Sequence, residues 1–193
     1  GMAVAYRGGG ASAAARLGAV AALVRSAGAS QDRLAHTGAM RYDPKVTKIP
    51  SAAVTYEDAD LIAYLARMGA VKIRLVLTPQ TLPDTVGYNV IADLKGSERP
   101  DEIVIVSGHL DSWDLGTGAI DDACGVAVAM QVPFLLKQLD LRPKRTIRVV
   151  AWMDEELGGT GGATYALEEA ANIAKHVATV ESDLGASHPI GIL

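Results

Sequence analysis

Cysteine is nearly missing from this sequence, with Cys124 the one residue of its type. A lone thiol closes no internal disulfide and supplies no thiolate metal cluster. Blocks of one charge are missing too: 18 Lys and Arg stand against 22 Asp and Glu, a formal charge of -4 with no long run of either sign. That excludes the electrostatic footprint of a nucleic-acid or anionic-membrane binder. Apolar runs such as 19–24 fall far short of the ~20 residues a membrane helix needs. Neither nucleic acid nor a membrane is expected as a partner. Residues 3–10 lack the charged start, apolar stretch and cleavage site of an export signal, and Gly1 ahead of Met2 reads as the remnant of a removed tag. What is present is ordinary: 49% hydrophobic and 21% charged residues over 193 positions, the balance of a soluble globular protein able to bury roughly 70% of its unfolded surface.

Along the chain, residues 10–24 read as a short helix running into a buried strand at 19–24, and 28–48 as a loop or irregular hairpin broken by Gly38 and Pro44. Thr55 with Asp58 three residues later makes an imperfect capping box ahead of Leu61, Ile62, Leu65 and Met68 at helical spacing, which predicts a helix over 57–68 stopped at Gly69. Val71, Ile73, Leu75 and Leu77 then alternate as in a half-buried strand. Pro79, Pro83 and Gly87 interrupt, placing a domain boundary in 78–85. Beyond it come strands at 88–94, 102–108, 146–152 and 177–181, with helices at 122–139 and 161–171. Pro133 should kink the first of these helices. Strands alternating with helices predict an α/β fold, a mostly parallel sheet with helices on both faces.

The titratable residues are distributed unevenly on that frame. His109 and Asp111 follow one strand, Asp154, Glu155 and Glu156 the next, and Asp183 the last. All lie at carboxyl ends, the rim where an α/β sheet binds ligands. His109 and Asp111 leave an extended chain on the same side, so the carboxylate could orient the imidazole for a metal; a salt-bridged surface pair is the plainer reading. Asp121 and Asp122 precede an apolar helix. One could cap it, while the other, Asp121, could bridge two dications that need a shared anionic donor. Glu155 and Glu156 diverge as neighbours, so one could bind metal while the other takes a proton from water, unless both simply lie on a solvated turn.

Taken in order, His109-Leu110-Asp111-Ser112-Trp113-Asp114, Gly118-Ala119-Ile120-Asp121-Asp122, Trp152-Met153-Asp154-Glu155-Glu156 and Glu181-Ser182-Asp183 resemble the M28 family of dinuclear zinc peptidases. Residues 89–96 and 100–114 are similar to its carboxypeptidase branch. Residues 49–69 resemble part of the protease-associated insert found in that branch. The resemblance implies a zinc exopeptidase acting on peptides or dipeptides, with 1–84 a partial protease-associated-like α+β domain and 85–193 the N-terminal part of the zinc peptidase domain. It implies two Zn²⁺ ions: His109 and Asp183 on one, Glu156 on the other, and Asp121 between them. Glu155 matches the general base, Asp111 the residue that orients His109, and the bond from Asp121 to Asp122 should be cis.

The family's second zinc takes one further histidine. His176 lies seven residues before Asp183, roughly 23 Å along a strand toward the wrong edge, and His188 lies in a Gly- and Pro-containing loop. Four ligands are therefore expected here where the family has five. The chain reads as an interior piece with open sheet edges that invite self-association, and its own activity is expected to be weak or absent. Periplasmic or secreted location is implied by the resemblance alone. Two other readings stand beside it: an M20-type metallo-exopeptidase, from Asp154-Glu155-Glu156-Leu157-Gly158-Gly159, and a non-catalytic module for metal binding or protein association.

Overall fold

The computed structural model describes residues 4–27, 32–36, 38–183, 185, 187, 188 and 191. The chain divides into two compact units, Gly1–Pro83 and Asp84–Leu193.

In the first unit, helix α1 (Val4–Arg16) begins earlier than its sequence suggests. Its small residues let it pack closely: Ala11 and Ser12 are buried, and the Ser12 hydroxyl accepts a hydrogen bond from the Asp43 N–H at 2.9 Å. Strand β1 (Ala22–Arg25) starts three residues later than expected and pairs in parallel with β2 (Ser51–Val54), a strand too short for its periodicity to show. The described part of 28–48 forms neither helix nor strand. Helix α2 (Tyr56–Met68) matches its signals: the Thr55 hydroxyl accepts from the Asp58 N–H at 3.0 Å, and Gly69 follows the last turn.

The strand expected over 71–77 does not form. Val71, Ile73, Val76 and Leu77 are all exposed, and no described strand pairs with the segment. Alternation gives a chain two faces, but a strand also needs a neighbour for its N–H and C=O groups.

The second unit is a four-stranded sheet in the order β3 (Val90–Leu94), β5 (Arg145–Trp152), β4 (Arg99–His109), β6 (His176–Glu181). β4 runs parallel to both β5 and β6, and only β3 is antiparallel. A four-residue turn separates β3 from β4, too short for the crossover a parallel strand requires, so the edge strand must run backwards.

Helices cover both faces, as the alternation predicts. On one face Ile103, Ile105 and Val150 pack with Tyr165 of helix α4 (Thr160–Glu168), and Trp152 meets the Tyr165 ring edge-on at 5.2 Å. On the other, helix α3 (Ala123–Gln138) lies against Gly108, whose position is opposite in parity to Ile103 and Ile105. α3 continues through Pro133 over its whole span.

A polar network ties the edge strand to α4. Arg148 donates to both carboxylate oxygens of Asp93, at 2.7 and 2.8 Å, to the Tyr165 hydroxyl at 2.8 Å and to Glu169 at 3.3 Å. The hydrogen bonds from Arg148, more than the desolvation that opposes them, hold the Asp93 carboxyl below its ordinary pKa. Arg148→Met is expected to lower the unfolding free energy by about 2 kcal/mol, since bonds to charged groups count for more than neutral ones. The contribution linked to Asp93 is fully present above the carboxyl's unfolded pKa of about 4 and is lost as pH falls through its lower folded value. Urea melts from pH 7 to pH 3 check both points, with Asp93→Asn expected to flatten the acid slope.

Candidate metal centre

Parallel pairing aligns the carboxyl ends of three strands. His109 is in register with Trp152, and Ser107 with Glu181, so the residues just past each strand come out on one rim. α3 reaches the same rim from its N-terminus. Asp122 is its N-cap, accepting from the Gly125 N–H at 3.1 Å and from the His109 N–H at 2.9 Å. Capping is thus the use of Asp122, and the preceding carboxylate, Asp121, is left to face His109. The peptide bond between the two is cis, as the resemblance implied.

Two glycines permit this approach. A Cβ on Gly108 would stand 2.5 Å from both an Asp122 carboxylate oxygen and the Val126 nitrogen, and one on Gly125 would stand 1.7 Å from the Ser182 carbonyl oxygen. Neither glycine carries a local signal in the sequence, where Gly108 ends an apolar strand and Gly125 opens an apolar helix.

His109 is the pivot of the site and is almost wholly buried. Its Nδ1 lies 2.9 Å from the main-chain carbonyl of Asp111, which can only accept, so Nδ1 carries the hydrogen. Its Nε2 faces Asp121 at 3.1 Å and Asp183 at 3.2 Å. Among the described residues, His109, Asp121 and Asp183 form the group whose donor atoms all lie within 4.8 Å of one another, close enough for one ion.

The contact from Asp111 to His109 is made by the main-chain carbonyl rather than by the carboxylate expected from the sequence, which lies 3.7 Å from Nδ1. That carboxylate is spent on the other strand end, accepting from the Glu155 N–H at 2.9 Å and the Glu156 N–H at 3.0 Å. Glu156 lies outside the three-residue group, and its carboxylate accepts the indole N–H of Trp113. Asp154, with φ of 65°, accepts from both the N–H and the hydroxyl of Thr160 at the start of α4. His176 opens β6 at the end opposite Asp183, bonded to the Tyr165 hydroxyl at 2.7 Å and to the Asn172 carbonyl, so it is no ligand here. His188 is exposed and joins no such group among the described residues.

Electrostatics point the same way. Burial opposes a charge on His109, yet the Asp111 carbonyl and the carboxylates of Asp183, Asp122 and Glu155 outweigh it and raise the imidazole pKa. Desolvation raises the carboxyls of Asp122, Glu155 and Glu181, and Asp183 adds to each. A place where acids resist ionising and an imidazole favours its cation is a place that attracts positive charge. One neutral nitrogen and two carboxylate oxygens form a donor set that suits zinc.

A sequence profile described as Peptidase family M28 matches residues 89–193. The chain is 44% identical to carboxypeptidase Q of Mus musculus over 190 residues, covering 98% of this chain and 40% of that protein. It is 44% identical to carboxypeptidase Q of Xenopus laevis over 193 residues, covering 100% and 41%. The crystal structure of a peptidase M28 precursor from Shewanella amazonensis superimposes with a TM-score of 0.84 at 45% identity, covering 94% of this chain and 41% of that one. The chain therefore spans about two fifths of the length of these relatives. Because the matching profile is M28, the M20 reading of the 154–159 segment is set aside.

Proposed function

The chain belongs to peptidase family M28, and from that premise we propose that the whole protein is a zinc-dependent exopeptidase acting on peptide or dipeptide substrates. The reading rests above all on His109 Nε2. With Nδ1 committed to a carbonyl, its lone pair points at two carboxylate oxygens, an arrangement that repels unless a cation or a second proton lies between them.

In this reading His109 and Asp183 would hold one zinc and Glu156 the other, with Asp121 offered to both. Bound zinc would supply a Lewis acid for the scissile carbonyl and the means to ionise a water near neutral pH. Glu155 accepts the water's proton on its carboxylate and returns it to the departing amine. Desolvation raises the Glu155 pKa, with Asp183, Glu156 and Asp111 adding to it against the opposing pull of His109. Asp111 keeps both sides of the site in place, holding the His109 ring with its carbonyl and the 155–156 turn with its carboxylate. The first unit is proposed as part of a protease-associated domain. A secreted or periplasmic location goes with the same reading.

The test is metal removal and return. Chelation is expected to abolish hydrolysis of a dipeptide panel and added Zn²⁺ to restore it. Zinc at a hundred times its Kd should stabilise the fold by about 2.7 kcal/mol, read as a rise in Tm. Hydrolysis that survives exhaustive chelation would sink the proposal, and zinc binding without turnover on any peptide would favour the non-catalytic module.

A further inference from the structure

We propose that Trp113 is a positioning residue for Glu156: its indole N–H holds one carboxylate oxygen and leaves the other to face a metal. The inference rests on the reading of the site given above and concerns a residue to which that reading assigns no part. Three observations carry it. The indole Nε1 of Trp113 donates to Glu156 Oε2, and an indole can only donate, so that oxygen is committed as an acceptor. Two residues earlier, Asp111 fixes the backbone of the same glutamate by accepting the N–H groups of Glu155 and Glu156. Glu156 is thereby held at its main chain and at its side chain by one short segment, 111–113, which also fixes His109 through the Asp111 carbonyl.

That segment forms a strap between two strand ends. β4 supplies His109 and the strap, β5 supplies Glu155 and Glu156, and nothing in the ladder between the strands dictates the side-chain angles past their ends. A carboxylate on an exposed rim samples several rotamers, and one oxygen bound to a fixed ring removes that freedom before any ion arrives. Outer partners of ligating carboxylates typically carry 10- to 100-fold in metal affinity. Trp113 should therefore act on the ion that Glu156 binds and leave the His109–Asp183 ion alone.

The experiment is a stepwise Zn²⁺ titration by calorimetry on the full-length protein and on Trp113→Phe, which keeps a ring and deletes the N–H. The expected result is an unchanged tighter step and a second step weakened by about 10-fold or more. Equal affinities in both proteins, or equal weakening of both steps, would overturn the proposal. Should Trp113→Phe fail to fold, the indole N–H of Trp113 is followed by ¹⁵N NMR in the unsubstituted full-length protein labelled at tryptophan. Its resonance should shift with the second equivalent of zinc and not the first, and an unresponsive Trp113 would also overturn the proposal. If the unsubstituted protein takes up no zinc at all, the reading of the site itself fails and the role of Trp113 falls with it.

Discussion

In the full-length protein, if it is the exopeptidase proposed above, Glu155→Gln is expected to lower kcat for dipeptide hydrolysis by about 10³-fold, within the usual contribution of a general base, while leaving zinc content unchanged. The amide keeps the size and most of the packing of the carboxylate but accepts no proton. Zinc content is expected to stay constant because the proposed reading gives the metals to His109, Asp121, Glu156 and Asp183 and leaves Glu155 to the proton. Its backbone N–H, which anchors the turn to Asp111, is untouched by the substitution. Metal analysis beside steady-state kinetics makes the measurement. A variant that loses zinc together with activity would make Glu155 a ligand, and a variant with full kcat would remove it from the chemistry.

The second large effect comes from a residue with no side chain. Gly125→Ala should lower the unfolding free energy by about 3 kcal/mol, the upper part of the range for inserted methyl groups, and abolish zinc binding. The new Cβ would stand 1.7 Å from the Ser182 carbonyl oxygen and 2.2 and 2.5 Å from the two carboxylate oxygens of Asp122. None of these is a flexible tip: one is main chain, and Asp122 is a fully buried cap bonded to the His109 and Gly125 N–H groups. Relief must move Ser182, and with it Asp183 away from its 3.2 Å approach to His109. Gly162→Ala is the control, since its Cβ would meet nothing within 4 Å and alanine is the better helix former by about 1 kcal/mol. Denaturant midpoints of the two variants should move in opposite directions and only Gly125→Ala should lose zinc binding, and a Gly125→Ala protein with ordinary stability and affinity would refute the packing argument.

Much of this architecture is legible in the order of the residues. Apolar segments such as 103–106 and 149–151 mark the central strands, and the acidic residues and histidine just beyond them mark the binding rim. Asp122 follows the same logic, because a carboxylate directly ahead of an apolar helix has an N-cap to fill. The segment 71–77 shows the limit: its alternation is clear, yet it forms no strand because no described strand pairs with it.

By itself, then, the sequence determined which residue types sit at the ends of which strands, because periodicity and capping are decided within a few residues of chain. Tertiary structure alone decided which atoms of those residues meet. Asp111 faces His109 with its carbonyl and Glu155 and Glu156 with its carboxylate. Trp113 reaches Glu156 across 43 positions, and Gly108 and Gly125 let a helix and a strand touch where any Cβ would part them. Such contacts join segments far apart in the chain, and their geometry is fixed by the packing of the whole sheet, which no local pattern encodes.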